Sequence, residues 1–247
     1  MFTFITGGVT AAQGYSATGE HLGIRRNRTR RDVALIVSEK PASAACVYTQ
    51  NLVKGAPITV TKKHVADGVA QAIICNSGNA NTCNDNGIEI AEGMSKLVEE
   101  YLGIKADDVI VASTGVIGQK LSLEPFANGM GKLVDSLENT PAGGTHAAEA
   151  IMTTDTVAKE VAIRFRLGGK TVKLGGISKG SGMICPNMAT MLCFLTTDAK
   201  HRSRRPQARS VHRRSRHLQH ALCRRRHLHQ RHGLHHGQRP GRQRPHQ

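Results

Sequence analysis

The feature that most restricts what this chain can fold into is a break in composition at residue 200. From Lys200 to Gln247 there are 15 Lys and Arg, ten of the chain's 13 His, and no Asp or Glu. A run of this kind reads as a solvated, disordered segment, so a packed core has to come from residues 1–199. There the remaining 34 − 15 = 19 basic residues face 18 acidic ones, and the net charge is only +1. The whole-chain values, +16 and a pI of about 10.1, would suggest a polyanion partner. They describe the tail and not the front part.

The six cysteines, Cys46, Cys75, Cys83, Cys185, Cys193 and Cys223, show neither CxxC pairing nor zinc spacing, and a chain of this length needs no disulfide framework. A reducing compartment is expected. The opening MFTFITGGVTAAQG lacks the apolar length and basic flank of a signal peptide, and no run approaches the ~20 apolar residues of a membrane span. The expectation is a soluble, cytoplasmic protein, or a mitochondrial-matrix one in a eukaryote, with no membrane partner.

Short apolar runs predict strands at Ala34–Val47, Ala56–Lys62, Val69–Cys75, Asp107–Val111 and Met191–Thr196. A strand pair, Val157–Arg166 and Lys170–Ile177, is joined by a Leu-Gly-Gly turn. Between Gly87 and Gly103 the apolar residues Ile88, Ala91, Met94, Leu97, Val98 and Leu102 recur at helical spacing, with Gly103 as C-cap. Further helices are predicted at Leu123–Leu137 and near Thr145–Met152. The class is α/β. With five Phe, three Tyr, no Trp and 26 Gly, packing must rely on small and aliphatic side chains and on close backbone approach.

The most specific stretch is Lys179–Leu192, KGSGMICPNMATML, in which a lysine sits among Gly and Ser and a Pro-Asn turn leads to Ala189-Thr190 and a hydrophobic strand. A threonine at a strand start is ordinarily just a β-former facing a core. Here the stretch resembles the self-cleavage motif of the ornithine acetyltransferase/N-acetylglutamate synthase family, and the match continues through Cys193–Ala199. Five other blocks occur in family order: Gly7–Gly14 with Gly19 and Gly23-Ile24, Tyr48–Pro57, Cys75–Asn84, Ser113–Gly118 (STGVIG) and Ala150–Thr156 (AIMTTDT). Together they are spread over about 199 residues.

The resemblance implies stacked β-sheets flanked by helices, with the C-terminal half missing. Residues 1–189 would be the family's α chain and 190–199 the start of its β chain. Thr190 would be the nucleophile, released by cleavage after Ala189, with its own amine, of ordinary pKa ~7.7–8.0, as base. Thr114, through its hydroxyl, and Gly115, through its N–H, would form the oxyanion hole. Thr153 and Lys179 match the family's substrate contacts. The alternatives are a solvated surface lysine for Lys179 and a capping or core residue for Thr153, with Thr154 as its competitor. Asn76, Asn79, Asn81 and Asn84 are expected to satisfy turn backbone. The implied reaction moves acetyl from N-acetylornithine to glutamate through an acetyl-threonine. It needs no metal or organic cofactor and admits acetyl-CoA as a co-substrate.

After Ala199 the resemblance stops. Arg, His, Gln, Pro and Leu share codons beginning in C, as in GC-rich DNA read out of frame. Cys223–His232 can be encoded by TGTCGACGGCGACACCTCCACCAACGACAT, which one nucleotide further on reads Val-Asp-Gly-Asp-Thr-Ser-Thr-Asn-Asp. That string resembles the family's C-terminal chain. Residues 200–247 are thus expected to be an out-of-frame basic tail. The competing class of function is a non-enzymatic polyanion binder acting through this tail, without specificity for a nucleic acid.

Overall fold

The structure is a computed structural model that describes residues 1–181 and 191–200. Strands β1 (Phe2–Ile5), β6 (Lys159–Leu167), β7 (Lys170–Lys179) and β8 (Leu192–Thr197) form one antiparallel sheet in the order β1-β6-β7-β8. Strands β2 (Tyr15–Glu20), β3 (Val33–Ser43), β4 (Val69–Asn79) and β5 (Val109–Val116) form the other, in the order β2-β3-β4-β5. The pairing of β4 with β5 is parallel, which requires a crossover long enough to return the chain to the same end. Helix α2 (Gly87–Leu102) provides it. The other helices are α1 (Ala56–His64), α3 (Glu124–Asp135) and α4 (Pro141–Ala150).

The period-two pattern of β3 to β5 divides large from small side chains. Val33, Leu35, Ile74, Val109 and Val111 face a core closed by Met94 and Val98 of α2 and by Phe126, Met130 and Leu133 of α3. Each such side chain, fully buried, contributes roughly 1.5–3 kcal/mol. On the other face Ala17, Ala34, Ile36, Cys75 and Ala112 pack with Ala147, Ala148 and Ala150 of α4 and with Ile177 of β7. The expected close approach is met here. A Cβ on Gly19 would lie 2.2 Å from the His146 carbonyl oxygen, so only glycine lets α4 settle against β2.

The α/β class and the stacked sheets with flanking helices agree with the sequence reading, and so do the helix that ends at Gly103, which has φ 67, and the pair β6–β7 with its glycine turn. One element differs. Ala56–Lys62, expected as a strand, is the body of α1. Its Ile-Thr-Val-Thr run favours strand, but Pro57 in the first turn suits a helix start, and tertiary bonds outweigh propensity. Thr61 Oγ1 donates to the Val111 carbonyl at 2.7 Å and accepts from the Val111 N–H at 2.9 Å, while His64 Nδ1 is 2.8 Å from the Val109 carbonyl. The helix thereby satisfies the outer edge of β5, which ends its sheet. Asp107 and Asp108, assigned to a strand start, form a 3-10 turn ahead of β5. Strands β1 and β2 were not anticipated.

Candidate functional site

The two sheets bring their functional residues together at the ends of β5 and β7. Thr114 points to the inter-sheet side of β5, as Ala112 does, and is 8% exposed; Lys179, the last residue of β7, is 4% exposed. Lys179 Nζ donates to Thr114 Oγ1 at 3.1 Å. Residues 65 positions apart in sequence thus share one buried contact, and the alternative of a solvated surface lysine is excluded. Burial lowers the Lys179 ammonium from its ordinary value, opposed by the nearby charge of Asp155. Burial also pushes the neighbouring Cys75 thiol up to about 12, against the pull of Lys179, so Cys75 stays a neutral thiol beside the lysine.

Gly115 follows with φ 135, against Gly78 on the parallel neighbour, which has φ 141. A Cβ at Gly115 would lie 2.3 Å from the Gly78 carbonyl carbon. The two backbones beside Thr114 cross in direct contact, which is possible because both crossing residues are glycines.

Thr153 joins this group through a residue that the sequence reading left out. Asp155 is 1% exposed. Its carboxylate accepts from the Lys159 ammonium, from the Gly180 N–H at 2.9 Å and from the Thr153 N–H at 3.2 Å. It therefore ties the Thr153 segment to the residue after Lys179. Burial alone would raise its pKa, but the Lys159 ammonium and the two N–H groups reverse this and hold it below the ordinary carboxylate value. The competitor Thr154 is exposed and turns to Ser181, its Oγ1 3.3 Å from Ser181 Oγ. The only signal for Asp155 in the sequence was a lone acid in the block AIMTTDT.

Three of the four asparagines serve the backbone, as expected, and Asn84 bonds other asparagine side chains instead. Asn76 Nδ2 donates to the Asn79 carbonyl, Asn79 Nδ2 to that of Gln119, and Asn81 Nδ2 to that of Gly87. Asn84 Nδ2 donates to Asn81 Oδ1. Ala189 and Thr190 lie outside the described residues. Leu192, two residues after Thr190, is described and pairs in register with Lys179.

A buried ammonium and a hydroxyl thus meet beside a pair of closely packed glycines, and the chain around them matches a known family model. The model for the ArgJ family matches residues 16–215. The chain belongs to the ArgJ family. That match runs 16 residues past Ala199, where the resemblance read from the sequence ended. The arginine biosynthesis bifunctional protein ArgJ of Symbiobacterium thermophilum is 48% identical over 198 residues, 79% of this chain and 49% of that protein. The chain thus spans about half the length of the curated ArgJ relatives it matches. A crystal structure of ArgJ from Bacillus halodurans aligns at TM-score 0.72 and 44% identity, covering 78% of this chain and 98% of that one. An ornithine acetyltransferase from Mycobacterium tuberculosis, solved with ornithine, aligns at TM-score 0.67 and 34% identity over 75% and 98% of the two chains.

Among the described residues no group of three or more His, Cys, Asp or Glu could hold a metal ion. No described helix is long and apolar enough to cross a membrane. The four described cysteines, Cys46, Cys75, Cys83 and Cys193, are free.

Proposed function

We propose that this chain is the N-terminal part of an amino-acid N-acetyltransferase of arginine biosynthesis that moves acetyl from N-acetylornithine to glutamate. The observation that carries the proposal is the contact of Lys179 Nζ with Thr114 Oγ1, 3.1 Å apart across two sheets and beside Gly115. Thr190 is the nucleophile. Support comes from its place in the sequence, two residues before Leu192, which pairs with Lys179 in the register of β7 and β8. Once freed by cleavage after Ala189, the Thr190 amine takes the hydroxyl proton as the threonine attacks the acetyl carbonyl. Thr114 Oγ1 and the Gly115 N–H receive the developing oxyanion. Ornithine leaves, and glutamate attacks the acetyl-threonine in the second half of a ping-pong cycle.

Lys179 holds the amino-acid carboxylate and Thr153 bonds its polar end. A Thr153 hydroxyl with no hydrogen bond among the described residues suits that role. The reading needs no metal or organic cofactor and admits acetyl-CoA as a co-substrate. Cleavage into α and β chains is supported by lengths: the two solved neighbours are matched over 98% of their chains, whereas the curated relative is matched over 49%.

The chain as written lacks most of the second half and should be inactive, with residues 200–247 an out-of-frame tail. Intact mass tests the first point. A dominant 26.6 kDa species is expected, and quantitative cleavage at Ala189-Thr190 would show that this half assembles its site alone. With the reading frame restored, the protein should be cleaved at that bond and acetylated on Thr190, and Thr190→Ala should abolish both. Full acetyl transfer by an uncleaved protein would overturn the assignment. The tail's 15 Lys and Arg without acids favour a second, non-enzymatic activity, salt-sensitive polyanion binding.

A further inference from the structure

A second concentration of charge lies in the front part of the chain, in the loop between β2 and β3. Arg25, Arg26, Arg28, Arg30 and Arg31 fall within seven residues that contain no acid. Residues 1–199 carry +1, so everything outside this loop sums to 1 − 5 = −4. A protein surface gathers five guanidinium groups against its own average only at some cost in mutual repulsion.

The loop is firmly held. Asp32, fully buried, accepts from the Leu22 N–H at 2.7 Å and from the Arg25 N–H at 3.0 Å. Arg25 Nε donates to the Ser77 carbonyl at 2.8 Å, and its Nη2 to that of Met152. Arg31 is paired with Glu20 and Glu149, and Glu20 also meets Lys132 at 2.6 Å. The local acids are therefore taken. Arg26, Arg28 and Arg30 are exposed, and among the described residues none of the three forms an ion pair. Arg30 Nη1 makes one bond, to the Thr153 carbonyl at 3.3 Å.

Two routes join this loop to the candidate site. Arg30 bonds Thr153, whose N–H bonds Asp155, which holds Gly180 beside Lys179. The Arg25 side chain also lies over Gly78, where an added Cβ would come within 2.9 Å of Arg25 Cγ, and Gly78 crosses Gly115. The loop is the rim of that site.

We propose that Arg26, Arg28 and Arg30 form a binding site for a small ligand carrying two or more phosphate groups, seated at the rim of the acyl-transfer centre. A guanidinium offers paired N–H donors that match phosphate oxygens. Three uncompensated cations on one anchored loop match an oligophosphate, whereas an amino-acid carboxylate would leave two of them unbalanced. The assignment goes beyond the acetyltransferase reading, and its failure leaves that reading untouched.

Arginine-specific labelling of the full chain with phenylglyoxal, mapped by peptide mass spectrometry, tests the site without confusion from the tail. Pyrophosphate, ADP and inorganic phosphate are the probes, at low salt because exposed charges are screened. Pyrophosphate and ADP are expected to protect Arg26 and Arg28 severalfold more than the tail arginines. Equal protection by the two assigns binding to the phosphates alone, and stronger protection by ADP assigns it to a nucleotide-like ligand. The double variant Arg26→Gln/Arg28→Gln alters only exposed side chains and should keep its thermal stability while losing affinity by about tenfold per arginine. Protection no greater than in the tail, or equal protection by inorganic phosphate, would overturn the proposal. So would unchanged pyrophosphate affinity in the double variant.

Discussion

Replacing Asp155 by Asn keeps the shape of a side chain that is 1% exposed and removes its charge. In the native protein the carboxylate balances Lys159 and accepts two backbone N–H groups, those of Gly180 and Thr153. An amide keeps one acceptor oxygen, so one of these donors faces another donor. Breaking a buried ion pair on one side costs about 3–5 kcal/mol. The Lys159 side chain is 23% exposed and recovers some hydration, which puts the expected loss near the lower end, about 3 kcal/mol. For a folded part of this size each kcal/mol shifts Tm by about 2–4 °C, so a fall of about 6–12 °C is expected. The pH dependence carries a sign. Asp155 titrates below its ordinary 3.8 when folded, so between the two pKa values the unfolded chain binds more protons. The stabilisation is present above about pH 4 and disappears as pH falls through the folded value. Urea unfolding of both proteins between pH 7 and pH 3 measures this. A loss under about 1 kcal/mol at neutral pH, or a difference that stays constant down to the acid limit, would refute the account of Asp155 as the charged tie between the two segments.

Gly115→Ala should destabilise the protein by several kcal/mol or prevent folding, because its Cβ would meet the Gly78 backbone at 2.3 Å and φ is 135; thermal melts decide it. Thr61→Val removes both bonds to Val111 at the edge of β5 and should cost about 1–3 kcal/mol by urea titration, whereas a neutral result would return the stability of α1 to its apolar contacts. With the reading frame restored, Thr114→Ala should slow both acetyl-transfer steps by about 10²–10³ with little change in substrate affinity; an effect on KM alone would remove Thr114 from the oxyanion hole. Deleting residues 200–247 should abolish heparin binding, and unchanged retention would move the polyanion contact to the folded part.

What could be read from the sequence was whatever is written locally. Helix α2 announces itself by apolar spacing and a terminal glycine, and β6–β7 by two glycines that take the left-handed turn. Thr114, Gly115 and Lys179 could be named because motif neighbours mark them. Helix α1 was misread because its β-branched run is right for a strand, and only the edge of β5, some 50 residues away, makes Thr61 and His64 useful in a helix. Asp155 was missed for the same reason: its importance lies in Gly180 and Lys159, which the fold brings to it. The arginine loop was visible as letters. Its five charges are masked in the chain's average by the 15 Lys and Arg of the tail.

The two sheets differ in how their faces are covered. The sheet β2-β3-β4-β5 is covered on one face by α1, α2 and α3 and on the other by α4 and Ile177. Among the described residues the sheet β1-β6-β7-β8 has a cover only on its inner face. Side chains paired directly across strands share a face, and the register aligns Phe2 with Phe165, Phe4 with Ile163 and Leu174, and Val161 with Gly176 and Leu195. Phe2, Phe4, Val161 and Leu195 are 57%, 68%, 51% and 55% exposed. An apolar stripe across four strands is what a sheet presents when its other layer is absent. Strand β8 also ends the order of its sheet, so one row of its backbone groups has no ladder partner among the described residues. Lys179 sits on β7 and Leu192, close in sequence to Thr190, on β8. Among the described residues β8 is therefore an edge strand that pairs with the Lys179 strand and borders the exposed apolar stripe.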